Sequence, residues 1–141
     1  MSLGINLLQD LARRAARVLG EQFDIEIIER HHNLKKDAPS GTALMLADSI
    51  DREFTDKKLR VYNRSNSLKE RGKNEIGMHA IRGGTIVGDH DIVFAGHDEV
   101  ITLSHSALSK EVFAVGAINA AIFLKSQNSG LYDMSDLLKS L

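Results

Sequence analysis

The chain has 141 residues, 43% of them apolar and 26% charged, which fits one compact domain with a core of its own; a dinucleotide-binding domain plus a substrate domain would need on the order of 200 to 300 residues. Eighteen basic against nineteen acidic side chains leave a net charge of −1, so no global field draws a polyanion, and neither nucleic acid nor an anionic membrane is an expected partner. Cysteine is absent, which excludes disulfides, thiolate nucleophiles and iron–sulfur ligation, and no apolar run reaches the roughly 18 residues of a membrane-spanning helix. A reducing, cytoplasmic location is the expectation.

Along the chain, Leu7, Leu8, Leu11, Ala15, Val18 and Leu19 recur at helical spacing, which predicts a helix over Asn6 to Leu19 with Asn6 as N-cap and Gly20 as its stop. Asp24 to His32 alternates as a strand, with Ile25, Ile27, Glu29 and His31 on one face. Pro39 breaks the next stretch, and Ser40 stands where an N-cap belongs, ahead of a second helix through Phe54. Leu59 to Arg64 reads as a short strand, and Ser65 to Asn74 as a polar, mobile loop. Ile76 to Arg82, Thr85 to Ala95 and Glu99 to His105 read as strands, the last two joined across Gly96-His97-Asp98. Ser109 to Lys125 carries a stripe of Val112, Phe113, Gly116, Ala117, Ala120, Ala121 and Leu124, and Leu131 to Leu138 suits a terminal turn or helix. The expected fold is α+β, one domain over 1–141, with a mixed, largely antiparallel sheet and helices packed on one face.

Reactive side chains concentrate between His31 and Ala43. A helix start offers unpaired backbone N–H groups and a positive partial charge, so Gly41 and Thr42 can donate to a carboxylate or phosphate. Lys35 can reach the same anion, and a histidine can exchange a proton near neutral pH. The segment therefore suits a small anion that needs protonating, although each feature alone is also ordinary: a cap, a solvated lysine pair, surface histidines at a strand end. His31 and His32 enter one cleft only if the strand ends there and the backbone turns. Elsewhere, His90, His97 and His105 lack the spacing of a zinc motif, and no metal is expected. Gly83 to Gly88 matches no nucleotide loop and reads as a turn, and Ser104-His105 beside Asp98 lacks a nucleophile-elbow context.

The stretch HHNLKKDAPSGTAL resembles the HHxxKxDAPSGTA signature of the dihydrodipicolinate (4-hydroxy-tetrahydrodipicolinate) reductase family. Ser2 to Asn6 is similar to the family's S-x-G-[VI]-N segment, Glu75 to His90 to its EIGxHxxRGGxxxGxH strands, and Phe113 to Ala117 to its FAxGA helix. The resemblance implies the substrate-binding and tetramerising domain of an enzyme of lysine and diaminopimelate biosynthesis that reduces a small cyclic dicarboxylate with NADH or NADPH. It assigns His31 and Lys35 to proton delivery, and His32, Ser40, Gly41 and Thr42 to the substrate. It places the cofactor on an N-terminal Rossmann domain that this chain lacks, so a homotetrameric binding module without activity of its own is the alternative for these residues alone. Apolar strand residues such as Ile92, Phe94, Ile101 and Leu103 are then expected to pack across a symmetric interface. Lys110 stands where the family has an arginine, and the loop Ser65 to Asn74 departs from the family's glycine-rich version.

Overall fold

The computed structural model describes residues 1–65 and 67–141. Its elements are α1 (Leu3–Leu19), β1 (Asp24–His31), α2 (Gly41–Asp51), β2 (Leu59–Val61), β3 (Glu75–Arg82), β4 (Gly88–Ala95), β5 (Val100–Ala107), α3 (Glu111–Lys125) and α4 (Met134–Lys139). The sheet is mixed, in the order β2-β3-β1-β4-β5. β1 and β2 run parallel to β3, while β4 pairs antiparallel with β1 and β5 in the longer share of the ladder.

One face of this sheet carries the core. Ile25 and Ile27 of β1, Ile76 and Met78 of β3, and Ile92 and Phe94 of β4 meet Ile5, Leu8, Ala12 and Ala16 of α1 and Ala43, Leu46, Ala47 and Ile50 of α2. Each large side chain so buried contributes about 1.5–3 kcal/mol. Ile92 and Phe94 have none of their surface exposed, which corrects their expected place in a symmetric interface: period-two alternation turns them toward α1 and α2 together with Ile25 and Ile27. Leu103, opposite Ile92, packs partly against the same core.

The first helix starts earlier than expected. Ser2, not Asn6, is its N-cap: the Ser2 hydroxyl accepts from the Ile5 N–H at 3.3 Å, and the Asn6 side-chain amide donates to the Ser2 carbonyl at 2.8 Å. Gly20, at φ +57°, ends it as expected. The polar loop 65–74 includes residue 66, which lies outside the described residues, but Arg71 within that loop is anchored. Its guanidinium donates to the Ile25 and Glu75 carbonyls at 3.1 and 2.8 Å and pairs with Glu26 and Asp24 at 3.0 and 2.7 Å. The expectation of a freely mobile loop overlooked what one arginine satisfies at the end of two parallel strands.

The stripe expected on α3 is only partly buried. Gly116 lies so close to the Met1 carbonyl that a Cβ would overlap it, and this contact fixes the helix against the start of the chain. Phe113 and Leu124 from the same stripe are exposed, as are Val115, Ile118 and Ile122.

Candidate functional site

On β1 the alternation that buries Ile25 and Ile27 also turns Glu29 and His31 inward, where the apolar core gives way to polar groups. Glu29 is 1% exposed, and a carboxylate there persists only if donors replace its water. Four do so. Both terminal nitrogens of Arg82 reach it at 2.7 Å, His31 Nδ1 at 2.6 Å and the Ser40 N–H at 3.0 Å. Burial raises the Glu29 pKa, but the hydrogen bonds from Arg82, His31 and Ser40 outweigh it and hold the carboxyl below its ordinary value. Arg82 is correspondingly raised, chiefly by its hydrogen bonds to Glu29. With Glu29 ionised, His31 Nδ1 must carry the proton in their hydrogen bond.

Arg82 sits opposite His31 in the parallel ladder, and the residues that follow it wrap the same histidine. Gly83 N–H donates to the His31 carbonyl at 3.0 Å, and Asn33 N–H to the Gly84 carbonyl at 3.2 Å, with Gly84 at φ +50°. A Cβ on Gly88 would stand 3.0 Å from His31 Nε2, so glycine there leaves the space beside that nitrogen open. His90 packs edge-on to His31 at 5.2 Å between ring centroids. Its Nε2 shares a 3.0 Å hydrogen bond with the Ser40 hydroxyl. Burial, reinforced by the nearby His31, lowers the His90 pKa to about 4, so this ring is neutral at pH 7.

The start of α2 is tied to the same cluster. Ser40, 2% exposed, caps the helix by accepting from the Ala43 N–H at 3.1 Å, while its own N–H serves Glu29. Its polar atoms are thus engaged in holding the helix start. Among the described residues the N–H groups of Gly41 and Thr42 have no partner, and a Cβ on Gly41 would meet nothing within 4 Å. An eleven-residue helix therefore opens two free donors to whatever lies in front of it.

His32 and Lys35 are placed less directly. β1 ends at His31, and a turn closed by Lys35 N–H to the His32 carbonyl at 3.1 Å follows. His32 is half-buried with Nδ1 unpartnered. Lys35 Nζ pairs with Asp37 at 2.9 Å, and the Asp37 carbonyl accepts from Arg82 at 2.6 Å. Lys35 thus reaches His31 only through Asp37, Arg82 and Glu29; no hydrogen bond joins Lys35 or His32 to Gly41 or Thr42 among the described residues.

The sequence reading set Glu29 on one face with His31, weighed His90 only as a metal ligand and saw Arg82 and Gly88 only within a family resemblance, and gave none of the four a role at this site. The signal for Glu29 was present, because a carboxylate in register with two core isoleucines needs a buried cation. His97 lies on the hairpin tip, nearly fully exposed beside Asp98, away from the cross-strand pair His90 and His105. Among the described residues no three His, Asp or Glu side chains are grouped to hold a metal. No helix described is long and apolar enough to cross a membrane. A nicotinamide dinucleotide needs a glycine-rich turn from a parallel strand into a helix. Here β1 enters α2 through Asn33–Pro39, and Gly83-Gly84 leads into a strand instead. The described residues do not fit that cofactor.

Residues 4–138 match the family model described as "Dihydrodipicolinate reductase, C-terminus". The chain is 61% identical over 139 residues to a 4-hydroxy-tetrahydrodipicolinate reductase of Caldanaerobacter subterraneus subsp. tengcongensis, covering 99% of this chain and 55% of that protein. It is 54% identical over 140 residues to the reductase of Clostridium tetani, with 99% and 54% covered. It thus spans about half the length of these curated relatives. Among solved structures it resembles a dipicolinate-bound dihydrodipicolinate reductase from Paenisporosarcina sp. TG-14, with a TM-score of 0.64 and 30% identity over 83% of this chain and 44% of that one. The residues that wrap His31 and open α2 lie inside the matched region, and the chain belongs to the dihydrodipicolinate reductase family, in its C-terminal part.

Proposed function

We propose that this chain is the substrate-binding and proton-delivering part of a reductase that converts 4-hydroxy-tetrahydrodipicolinate to tetrahydrodipicolinate in lysine and diaminopimelate biosynthesis. The observation that carries this reading is the junction of β1 and α2, where an ionised Glu29 holds His31 and, through Ser40, the same carboxylate anchors a helix start with two free N–H donors. A carboxylate of the substrate docks on the Gly41 and Thr42 amides, with the Thr42 hydroxyl as a further donor. His32 and Lys35 answer the second negative charge, and Lys35 exchanges Asp37 for the substrate. His31, 8% exposed, delivers the proton from Nε2, the nitrogen beside Gly88. The dipicolinate bound to the Paenisporosarcina reductase is a planar dicarboxylate of this class.

Reduction also needs a hydride, for which a nicotinamide cofactor, NADH or NADPH, is the donor in such a reductase. Because the residues here do not fit it, the cofactor belongs on a Rossmann domain outside residues 1–141, which we take as one substrate and oligomerisation domain. Taken alone, these residues bind the dicarboxylate without reducing it. A cytoplasmic homotetramer completes the proposal, with the sheet face opposite the helices as the surface left for assembly.

Calorimetric titration of dipicolinate into this chain tests the site. Thr42→Val and Lys35→Met are each expected to weaken binding by about tenfold, the worth of one charge-assisted hydrogen bond. Undiminished binding in both variants would remove the Thr42 hydroxyl and Lys35 from the site.

A further inference from the structure

We infer that Glu29 is a positioning residue for His31: its carboxylate, clamped by Arg82, fixes one proton on Nδ1 so that the transferable proton resides on Nε2. The inference rests on His31 as the proton donor and deepens that reading. It begins from an asymmetry in the Glu29 contacts. A buried carboxylate that needs only a counterion is satisfied by a bidentate arginine, and Arg82 supplies that geometry at 2.7 Å on each oxygen. Yet Glu29 also takes His31 Nδ1 at 2.6 Å and the Ser40 N–H at 3.0 Å. One side chain thereby fixes the ring and the first residue before the open helix start relative to each other.

The arrangement sorts the two ring nitrogens. Nδ1 faces a carboxylate, which accepts hydrogen bonds and donates none, so the proton on Nδ1 stays there in both the neutral ring and the imidazolium. Nε2 faces the space left by the missing Gly88 Cβ. During transfer the Nε2–H bond breaks, its electron pair remains on nitrogen, the proton passes to the substrate, and the neutral ring keeps its Nδ1 proton against Glu29. Arg82 prevents the competing outcome in which Glu29 takes the proton itself, because protonation would forfeit a bidentate charged pair. The logic is that of a buried carboxylate orienting a catalytic imidazole, and His90, held by Ser40, packs edge-on to the ring and limits its rotation.

Long-range nitrogen–proton correlation spectra of the histidine rings in this chain read the tautomer directly. We expect neutral His31 to carry its proton on Nδ1. In Glu29→Gln, whose amide can donate as well as accept, a substantial Nε2–H population is expected, while the dipicolinate affinity stays within about threefold, since Gln retains hydrogen bonds to Ser40 and the ring. In the complete reductase, Glu29→Gln should lower kcat on the order of 10²-fold with KM little changed, and Glu29→Asp should recover part of it. A neutral wild-type ring whose single proton sits on Nε2 overturns the inference without any variant, and so does a Glu29→Gln chain with an unaltered tautomer. If instead the tautomer behaves as described but His31→Ala leaves kcat unchanged, the proton-donor reading fails and the spectroscopic result identifies which of the two was wrong.

Discussion

Glu29, a carboxylate with 1% of its surface exposed, and Ile118, an aliphatic side chain with 61% exposed, invert the usual rule of polar outside and apolar inside, one on β1 and the other on α3. Around Glu29 the inversion is fully compensated: Arg82, His31 and Ser40 replace the water it has lost. Around Ile118 it is not. α3 is apolar on nearly every side, yet Gly116 is its one buried residue, and a helix apolar all round is stable when covered all round. The two regions show that this chain supplies the donors its buried carboxylate needs, and less than is needed to cover its last long helix.

The sharpest way to break the comparison is to remove the compensation. Arg82→Ala leaves Glu29 buried with its principal cation gone, and breaking a buried pair from one side costs about 3–5 kcal/mol. Urea unfolding followed by circular dichroism should show a loss of unfolding free energy of that size. A loss below about 1 kcal/mol would mean that water reaches Glu29 readily and that the cluster is less closed than its hydrogen bonds indicate.

Acid should attack the same region first. His90 has a folded-state pKa lowered from 6.5 to about 4, so between those values the unfolded chain binds a proton that the folded one refuses. Stability therefore falls as pH drops from about 6.5 to about 4, by up to about 3 kcal/mol from this group. Glu29, whose pKa is also lowered in the fold, contributes stability that is present above its ordinary value of 4.5 and lost as pH falls through its folded value. Its share follows that of His90. In His90→Gln the first part of the decline should vanish and the second remain; an unchanged slope above pH 5 would assign the acid sensitivity elsewhere. α3 adds no buried ionisable group to this profile, since Glu111 and Lys125 at its ends are exposed.

How much of this was legible beforehand follows the range of the interactions. The alternation of Asp24 to His31, the Ser40 cap and the Gly20 stop are local, and periodicity and capping chemistry reveal them. The pairing of β1 with both β3 and β4 joins segments some fifty to seventy residues apart, and no local pattern states it. Arg82, Gly88 and His90 therefore looked like turn and strand residues until the ladder set them around His31. The early start of α1 was missed for a similar reason: Gly4 weakens the local helix signal, and its purpose emerges only in the packed structure, where a Cβ would come within 2.9 Å of the His105 ring. Ile92 and Phe94 were misplaced because alternation identifies two faces without saying which one a helix covers.

The smallest effect is the most informative about α3. Ile118 and Ile122 lie one turn apart, 61% and 65% exposed, so replacing both with serine removes apolar surface that is largely hydrated already. Unfolding free energy should change by no more than about 0.5 kcal/mol per site, the usual range for surface positions without special contacts. Binding of a hydrophobic dye and weak self-association should both decrease, because a contiguous apolar face drives each. The Glu29 cluster should not respond, and the dipicolinate affinity of the double variant should equal that of the parent chain. A destabilisation above about 2 kcal/mol would show that these isoleucines are covered in solution, and the contrast between a fully compensated carboxylate and an incompletely covered helix would then have to be withdrawn.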